Sequence, residues 1–289
     1  MGTQNGKNYH NASEDVLCKF RESYSEYFDM SAIQANVSVV FEKTPSYMLF
    51  PTIPAAIDAV AGPWKPKMLA ILRNPVDRAW SHYHYHMVNR GKGNNTTPFA
   101  VLVNNEIMQF QRNGLLEVKL SFQEFEHSGG IHHPFRFRQN VTLQDYARLI
   151  HEYKGDRYRT NSLLYRGLYG PLLHPWVETF SPEDRLMILQ FETFMEAEND
   201  NDRTIVHEVL GFAGLDNKSL EIENHKGRKA MNQTRLRKNI VRRKLVRANT
   251  GHYGRPMPPR MRQYLTFLYQ PFNELLADLL GEDWRHVWD

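Results

Sequence analysis

Arg73-Asn74-Pro75-Val76-Asp77-Arg78-Ala79-Trp80-Ser81 stands at the junction of two kinds of sequence pattern. The apolar run Met68 to Leu72 before it predicts a buried strand, and Pro75 to about Val88 predicts a helix. A strand emptying into a helix start brings main-chain N–H groups and the positive end of the helix dipole to one point, where an anion can dock. Arg73, at the strand end, offers a planar and permanently charged fork suited to phosphate. Ser81, two turns into the helix, adds a hydroxyl. Pro75 suits the first helical turn, where its missing N–H costs nothing. The local physics therefore predicts an oxyanion site.

The pattern Arg-x-Pro-x-x-Arg-x-x-Ser after a strand also resembles the 3′-phosphate-binding signature of sulfotransferases that use 3′-phosphoadenosine 5′-phosphosulfate (PAPS). The resemblance implies that Arg73 and Ser81 grip the 3′-phosphate. Glu42-Lys43-Thr44-Pro45-Ser46-Tyr47, after the β-branched run Val37 to Phe41, resembles the Glu-Lys-Thr-Pro-x-Tyr segment of the heparan sulfate sulfotransferase-like, carbohydrate branch. There the Lys lies where donor and acceptor meet. Lys43 is thus the expected catalytic cation, stabilising the transferring sulfuryl group or holding the acceptor.

Tyr165-Arg166-Gly167-Leu168-Tyr169, with Trp176, Phe180 and the strand-like Leu186 to Phe191 ending in Glu192, resembles the family's Arg-Gly-x-Tyr helix and the strand after it. Tyr253-Gly254-Arg255-Pro256-Met257-Pro258 resembles its Gly-Arg loop, so Gly254 and Arg255 are expected to close over the nucleotide. Leu265 to Leu280 resembles the terminal helix behind that loop. The implied fold is α/β, a mainly parallel sheet flanked by helices. The implied reaction is sulfuryl transfer from PAPS to a hydroxyl or amino group of a glycan, without a metal.

The family opens with a strand and a Lys-x-Gly-Thr-like loop that cradles the 5′-phosphosulfate through main-chain N–H groups. Nothing before Val37 fits that pattern, and the family's general base is missing with it. Two readings follow: an enzyme of the carbohydrate branch, or a truncated or degenerate sulfotransferase fold that binds nucleotide or anionic glycan without turnover. A P-loop kinase relative would need a Gly-rich loop ending in Lys-Ser/Thr and a magnesium carboxylate, and the sequence offers neither.

Composition agrees with an ordinary globular chain, 41% hydrophobic and 24% charged with a net charge of +4. Residues 1–36 read as a polar, aromatic and loosely packed segment. Residues 37–289 read as one domain with an insertion at 91–140 bordering the acceptor cleft. The basic run Arg235 to Arg247 is either a solvated helix face or a site for an anionic polysaccharide; no nucleic-acid-binding motif accompanies it.

A single cysteine, Cys18, leaves no internal disulfide framework. Asn11, Asn36, Asn94, Asn95, Asn140, Asn217 and Asn232 head Asn-x-Ser/Thr triplets, either acceptors in the secretory lumen or chance occurrences. By resemblance the expected place is the Golgi lumen, although no run of about 18 apolar residues predicts a membrane span. His82 and His86 share a helix face without an acidic partner, so the pattern predicts no metal site.

Overall fold

In the computed structural model the apolar run before Arg73 forms strand β1 (Met68–Leu72). It pairs in parallel with β4 (Leu186–Gln190), in register from Met68 opposite Leu186 to Leu72 opposite Gln190. The structure describes residues 12–27, 41–85, 97–138, 141–152, 162–182, 184–199, 204–215 and 256–288. A parallel pair requires a long crossover. Here that crossover carries α3 (Pro75–Tyr83), α4 (Phe99–Arg112), β2 (Leu116–Val118), α5 (Phe122–His127), β3 (Phe135–Phe137), α6 (Leu143–Glu152) and α7 (Tyr169–Thr179). Before β1 come α1 (Glu14–Ser25) and α2 (Ile53–Ala61), and after β4 come α8 (Phe191–Asn199), α9 (Thr204–Phe212) and α10 (Pro259–Leu280). The chain is α/β, with a parallel pair flanked by helices.

Helix α10 organises the core. Met261, Tyr264, Leu265, Leu268, Tyr269, Phe272 and Leu276 are all buried and recur at helical spacing, a continuous apolar stripe. The phenols on that stripe are satisfied: Tyr264 donates to the Leu120 carbonyl at 3.1 Å and Tyr269 to that of Leu164 at 3.0 Å. A second cluster gathers Leu72, Tyr169, Leu173, Trp176, Phe180 and Leu186 beneath the β1–β4 pair. The run Met68 to Leu72 was expected to be buried on both faces. Leu72 is, but Leu69 and Ile71 are 45% and 50% exposed, so among the described residues only one side of β1 is covered.

Within the stretch 91–140, expected as an insertion, the described residues 97–138 supply much of the main core. Val103, Ile107, Phe110, Leu116, Phe125 and Phe135 are buried in the same cluster as Tyr264, Leu268 and Phe272. Its antiparallel hairpin, Leu116 opposite Phe137 and Val118 opposite Phe135, was not predicted. Three-residue strands are too short for alternation to register.

The described part of the N-terminal segment, residues 12–27, is tied to the rest of the chain. Arg21 of α1 donates to the Val60 and Ala59 carbonyls at 2.8 and 3.2 Å. It thereby caps the C-terminal end of α2, where unpaired carbonyls and the negative dipole end favour a cation. Tyr24 donates to Glu42 at 2.8 Å, tying α1 to the segment that leads into a 3-10 turn at Tyr47–Leu49.

One buried carboxylate shapes the loop before α7. Glu106, on α4, accepts from the main-chain N–H groups of Leu163 (2.9 Å), Leu164 (3.0 Å) and Tyr165 (2.8 Å), and from the Ser162 hydroxyl. Burial pushes its carboxyl above the usual range, and these donors pull it back. They fix the entry to a 3-10 turn at Tyr165–Gly167. Glu106→Gln, which keeps one acceptor oxygen and turns an amide N–H toward a donor, is expected to destabilise the chain by about 1–3 kcal/mol. Glu106→Ala is expected to destabilise it further, both read by urea denaturation.

Helices α7 and α10 touch through backbone. A Cβ at Gly170 would lie 2.9 Å from the Leu276 nitrogen and 3.1 Å from both the Leu275 carbonyl carbon and the Phe272 oxygen. None of these main-chain atoms can turn aside. Gly170→Ala is therefore expected to cost about 1–3 kcal/mol through overpacking. Gly211→Ala on α9, where nothing among the described residues lies within 4 Å, is expected to be neutral or stabilising by up to about 1 kcal/mol. The difference between their urea midpoints checks the contact.

Candidate functional site

The segment Arg73–Ser81 lies as its pattern predicts, with β1 ending at Leu72 and α3 beginning at Pro75. The expected role of the helix start is corrected. Asn74 Oδ1 accepts from the main-chain N–H groups of Val76 at 2.9 Å and Asp77 at 3.3 Å. The Asn74 N–H donates to Glu192 Oε1 at 2.8 Å, and Pro75 has no N–H to offer. The first-turn donors are thus consumed by a side-chain cap and a carboxylate. An oxyanion at this end must be held by side chains.

Arg73 is half-buried, and its guanidinium carbon sits 5.1 Å from the centre of the Phe191 ring, just beyond the end of β4. That cation–π contact braces the fork across the two strand ends. Its carbonyl accepts from the Tyr169 hydroxyl at 2.9 Å. Ser81 is half-buried on α3, one turn beyond Asp77, whose carboxylate pairs with Arg262 of α10.

Segments far apart in sequence meet at Asn74 and Pro75. A Cβ at Gly167 would fall 2.8 Å from both Pro75 Cβ and the Tyr269 ring, so the 3-10 turn lies directly on the first turn of α3. Arg78 crosses the same contact, donating through Nη2 to the Leu163 carbonyl. Its role there is structural. Glu192 closes the group by accepting from Trp288 Nε1 at 3.1 Å through its other oxygen, and Trp288 in turn packs at 5.6 Å against the Tyr169 ring.

Electrostatically the place is basic. Tyr169, with its hydroxyl pushed to higher pKa first by burial, lies within reach of Arg78, Arg73 and Glu192. Arg166 in the turn is half-buried, and its charged form is disfavoured first by burial and then by the neighbouring Arg78. The carboxylate of Glu192 is committed to uncharged donors.

The other predicted residues are placed differently. Lys43 is exposed, in an irregular stretch before the 3-10 turn at Tyr47–Leu49. Among the described residues no hydrogen bond links it to Arg73 or Ser81. Its segment nevertheless reaches the same region, because Tyr47 and Met48 pack on the cluster that holds Leu72 and Tyr169. Gly254 and Arg255, the run Val37 to Val40, His86, and the basic run Arg235 to Arg247 lie outside the described residues. His84 packs edge-on against Trp80 at 4.4 Å, and burial lowers its pKa. No group of three or more metal-ligating side chains occurs among the described residues.

Sequence reasoning did not find Glu106 or the donation from Trp288. A mid-helix glutamate and a terminal tryptophan carry no local signal for such pairings. The link from Tyr169 to Arg73 was visible only as two motifs in one chain.

Comparison with known proteins gives the geometry its context. No curated protein matches the sequence. Among solved structures, a sulfotransferase from Alicyclobacillus acidocaldarius superposes with a TM-score of 0.43 at 17% identity, covering 83% of this chain and 64% of that one. The chain thus spans less than two thirds of that protein's length. The sulfotransferase domain family matches residues 3–279, nearly the whole sequence, and the chain belongs to that family.

Proposed function

We propose that this chain moves a sulfuryl group from PAPS to a hydroxyl or amino group of a glycan, an acceptor of the heparan sulfate kind. The observation that carries the reading is Arg73 itself. Its backbone is held by Tyr169 and its guanidinium is braced over Phe191, at the end of a parallel strand. A charge fixed in this way binds a phosphate with little further loss of side-chain freedom. The donor set fits a nucleotide phosphate: a forked cation from Arg73, a hydroxyl from Ser81, and an anion-poor surrounding in which Glu192 is already taken up.

In this reading Arg73 and Ser81 hold the 3′-phosphate, and Gly254 and Arg255 close over the nucleotide. PAPS supplies the sulfuryl group. Transfer of such a group resembles phosphoryl transfer, an in-line displacement with charge spread over equatorial oxygens, where positioning and electrostatics dominate. Lys43, exposed and at the front of the segment that packs near Tyr169, supplies a mobile cation for the transferring group or the acceptor. The glycan acceptor and a place in the Golgi lumen rest on the resemblance of Glu42 to Tyr47 and on the Asn-x-Ser/Thr triplets. No helix among the described residues is long and apolar enough to cross a membrane.

Calorimetric titration with 3′-phosphoadenosine 5′-phosphate tests the nucleotide site. Arg73→Ala is expected to weaken binding by about tenfold to a hundredfold, as loss of a charge-assisted hydrogen bond requires. Ser81→Ala is expected to weaken it a few-fold. No binding by the folded wild-type chain would sink the nucleotide reading. Labelled-sulfate transfer to desulfated heparan sulfate, beside a simple phenol, tests the acceptor, and transfer to the phenol alone would refute the glycan assignment. Nucleotide binding without transfer to either would favour a fold that binds without turnover.

A further inference from the structure

Glu42 is exposed, yet its carboxylate is gripped from two elements. The Tyr24 hydroxyl of α1 donates to Oε2 at 2.8 Å, and the Tyr47 hydroxyl hydrogen-bonds the same carboxylate from the 3-10 turn. Burial first, and then Glu42 itself, push both phenols up, so they remain protonated donors. Both supports are themselves placed. Arg21 anchors α1 on the end of α2. Tyr47 packs against the cluster that contains Leu72 and Tyr169, and the Tyr169 hydroxyl donates to the Arg73 carbonyl. A single phenol ring thus separates the Glu42 carboxylate from the cluster beneath the end of β1.

The other carboxylates of this region are committed. Glu192 holds the Asn74 N–H and the Trp288 indole, and Asp77 pairs with Arg262. Glu106 is buried among Ser162 and three main-chain N–H groups. Glu42 differs from all three, being open to solvent and forming no ion pair among the described residues. Neutral donors orient a carboxylate without the charge cancellation that an Arg or Lys partner imposes, and such cancellation makes a poor base. A carboxylate has about four lone-pair directions, so two phenols leave room for a substrate proton.

We propose that Glu42 is the general base of the reaction, taking the proton of the acceptor's hydroxyl or amino group while the Tyr24 and Tyr47 phenols fix its direction. This rests on the sulfuryl-transfer reading and supplies the proton acceptor that reading lacked. The acceptor oxygen or nitrogen forms its bond to sulfur as the bond from sulfur to the 5′-phosphate oxygen breaks. The nucleotide leaves with that electron pair as 3′-phosphoadenosine 5′-phosphate. The acceptor's proton passes to a Glu42 oxygen and from there to water, which its exposure permits.

The test is the single-turnover transfer of labelled sulfate from PAPS to desulfated heparan sulfate, followed from acid to alkaline pH. Calorimetric titration with 3′-phosphoadenosine 5′-phosphate runs beside it, and circular dichroism confirms that each variant is folded. Glu42→Gln is expected to slow transfer by about a hundredfold or more, the scale of a lost general base. It should also remove the fall in rate toward acid pH and leave nucleotide affinity within about twofold of wild type. Glu42→Asp should recover part of the rate. The double variant Tyr24→Phe/Tyr47→Phe keeps the carboxylate but frees it, and should slow transfer by roughly tenfold.

A folded Glu42→Gln chain that transfers at the wild-type rate overturns the proposal and leaves the sulfuryl-transfer reading standing. Slower transfer matched by an equal loss of nucleotide affinity also overturns it, because that pattern marks a structural tie between α1 and the 3-10 turn. Should Glu42→Gln fail to fold, the wild-type pH profile and Glu42→Asp decide. A rate that does not fall toward acid pH, or that Glu42→Asp leaves untouched, overturns the proposal. A wild-type chain that binds the nucleotide but transfers to no acceptor removes the reaction, and the base with it.

Discussion

Glu106 binds the Ser162 hydroxyl and three consecutive main-chain N–H groups, and the remainder of the site leans on the turn thus fixed. A loop bent this tightly leaves N–H groups that no helix or strand can pair, and burying them without an acceptor is expensive. With the carboxylate in place the turn can press Gly167 against Pro75, present Arg166 beside α3, and start α7 so that Tyr169 reaches the Arg73 carbonyl. A small polar interaction inside α4 therefore sets the geometry at the end of β1.

The same logic gives the α3 cap a second purpose. Helix N-termini are often read as ready anion sites, but this one is already satisfied by Asn74 and Glu192. What it contributes is rigidity: the residue after Arg73 is pinned to the residues after β4 on one side and to the helix on the other. Under the proposed function, recognition of an anion passes to guanidinium groups, whose planar forks impose direction as well as charge.

Much of this was legible in the sequence, and the exceptions have physical causes. Strand β1, helix α3, helix α4 and the long α10 follow from apolar runs, Pro75 and helical periodicity, all local properties. Arg73 and Arg166-Gly167-Leu168-Tyr169 were legible only as two separate motifs, and packing brings them together. The fourfold role of Glu106 was illegible, because a glutamate in an amphipathic helix reads as a solvated residue unless its partners, more than fifty residues away, are known. The short hairpin at Leu116 and Phe135 was missed for its length, and with it the fact that 97–138 contributes to the core. Residues 1–36 looked loose because composition does not report that Arg21 caps α2.

Trp288 donates its indole N–H to the carboxylate that also holds Asn74, and its ring rests on Tyr169. The end of the described chain is in this way wired into the start of α3. A change at Trp288 would therefore be felt at the start of α3, more than two hundred residues earlier in the chain, and not only where it is made.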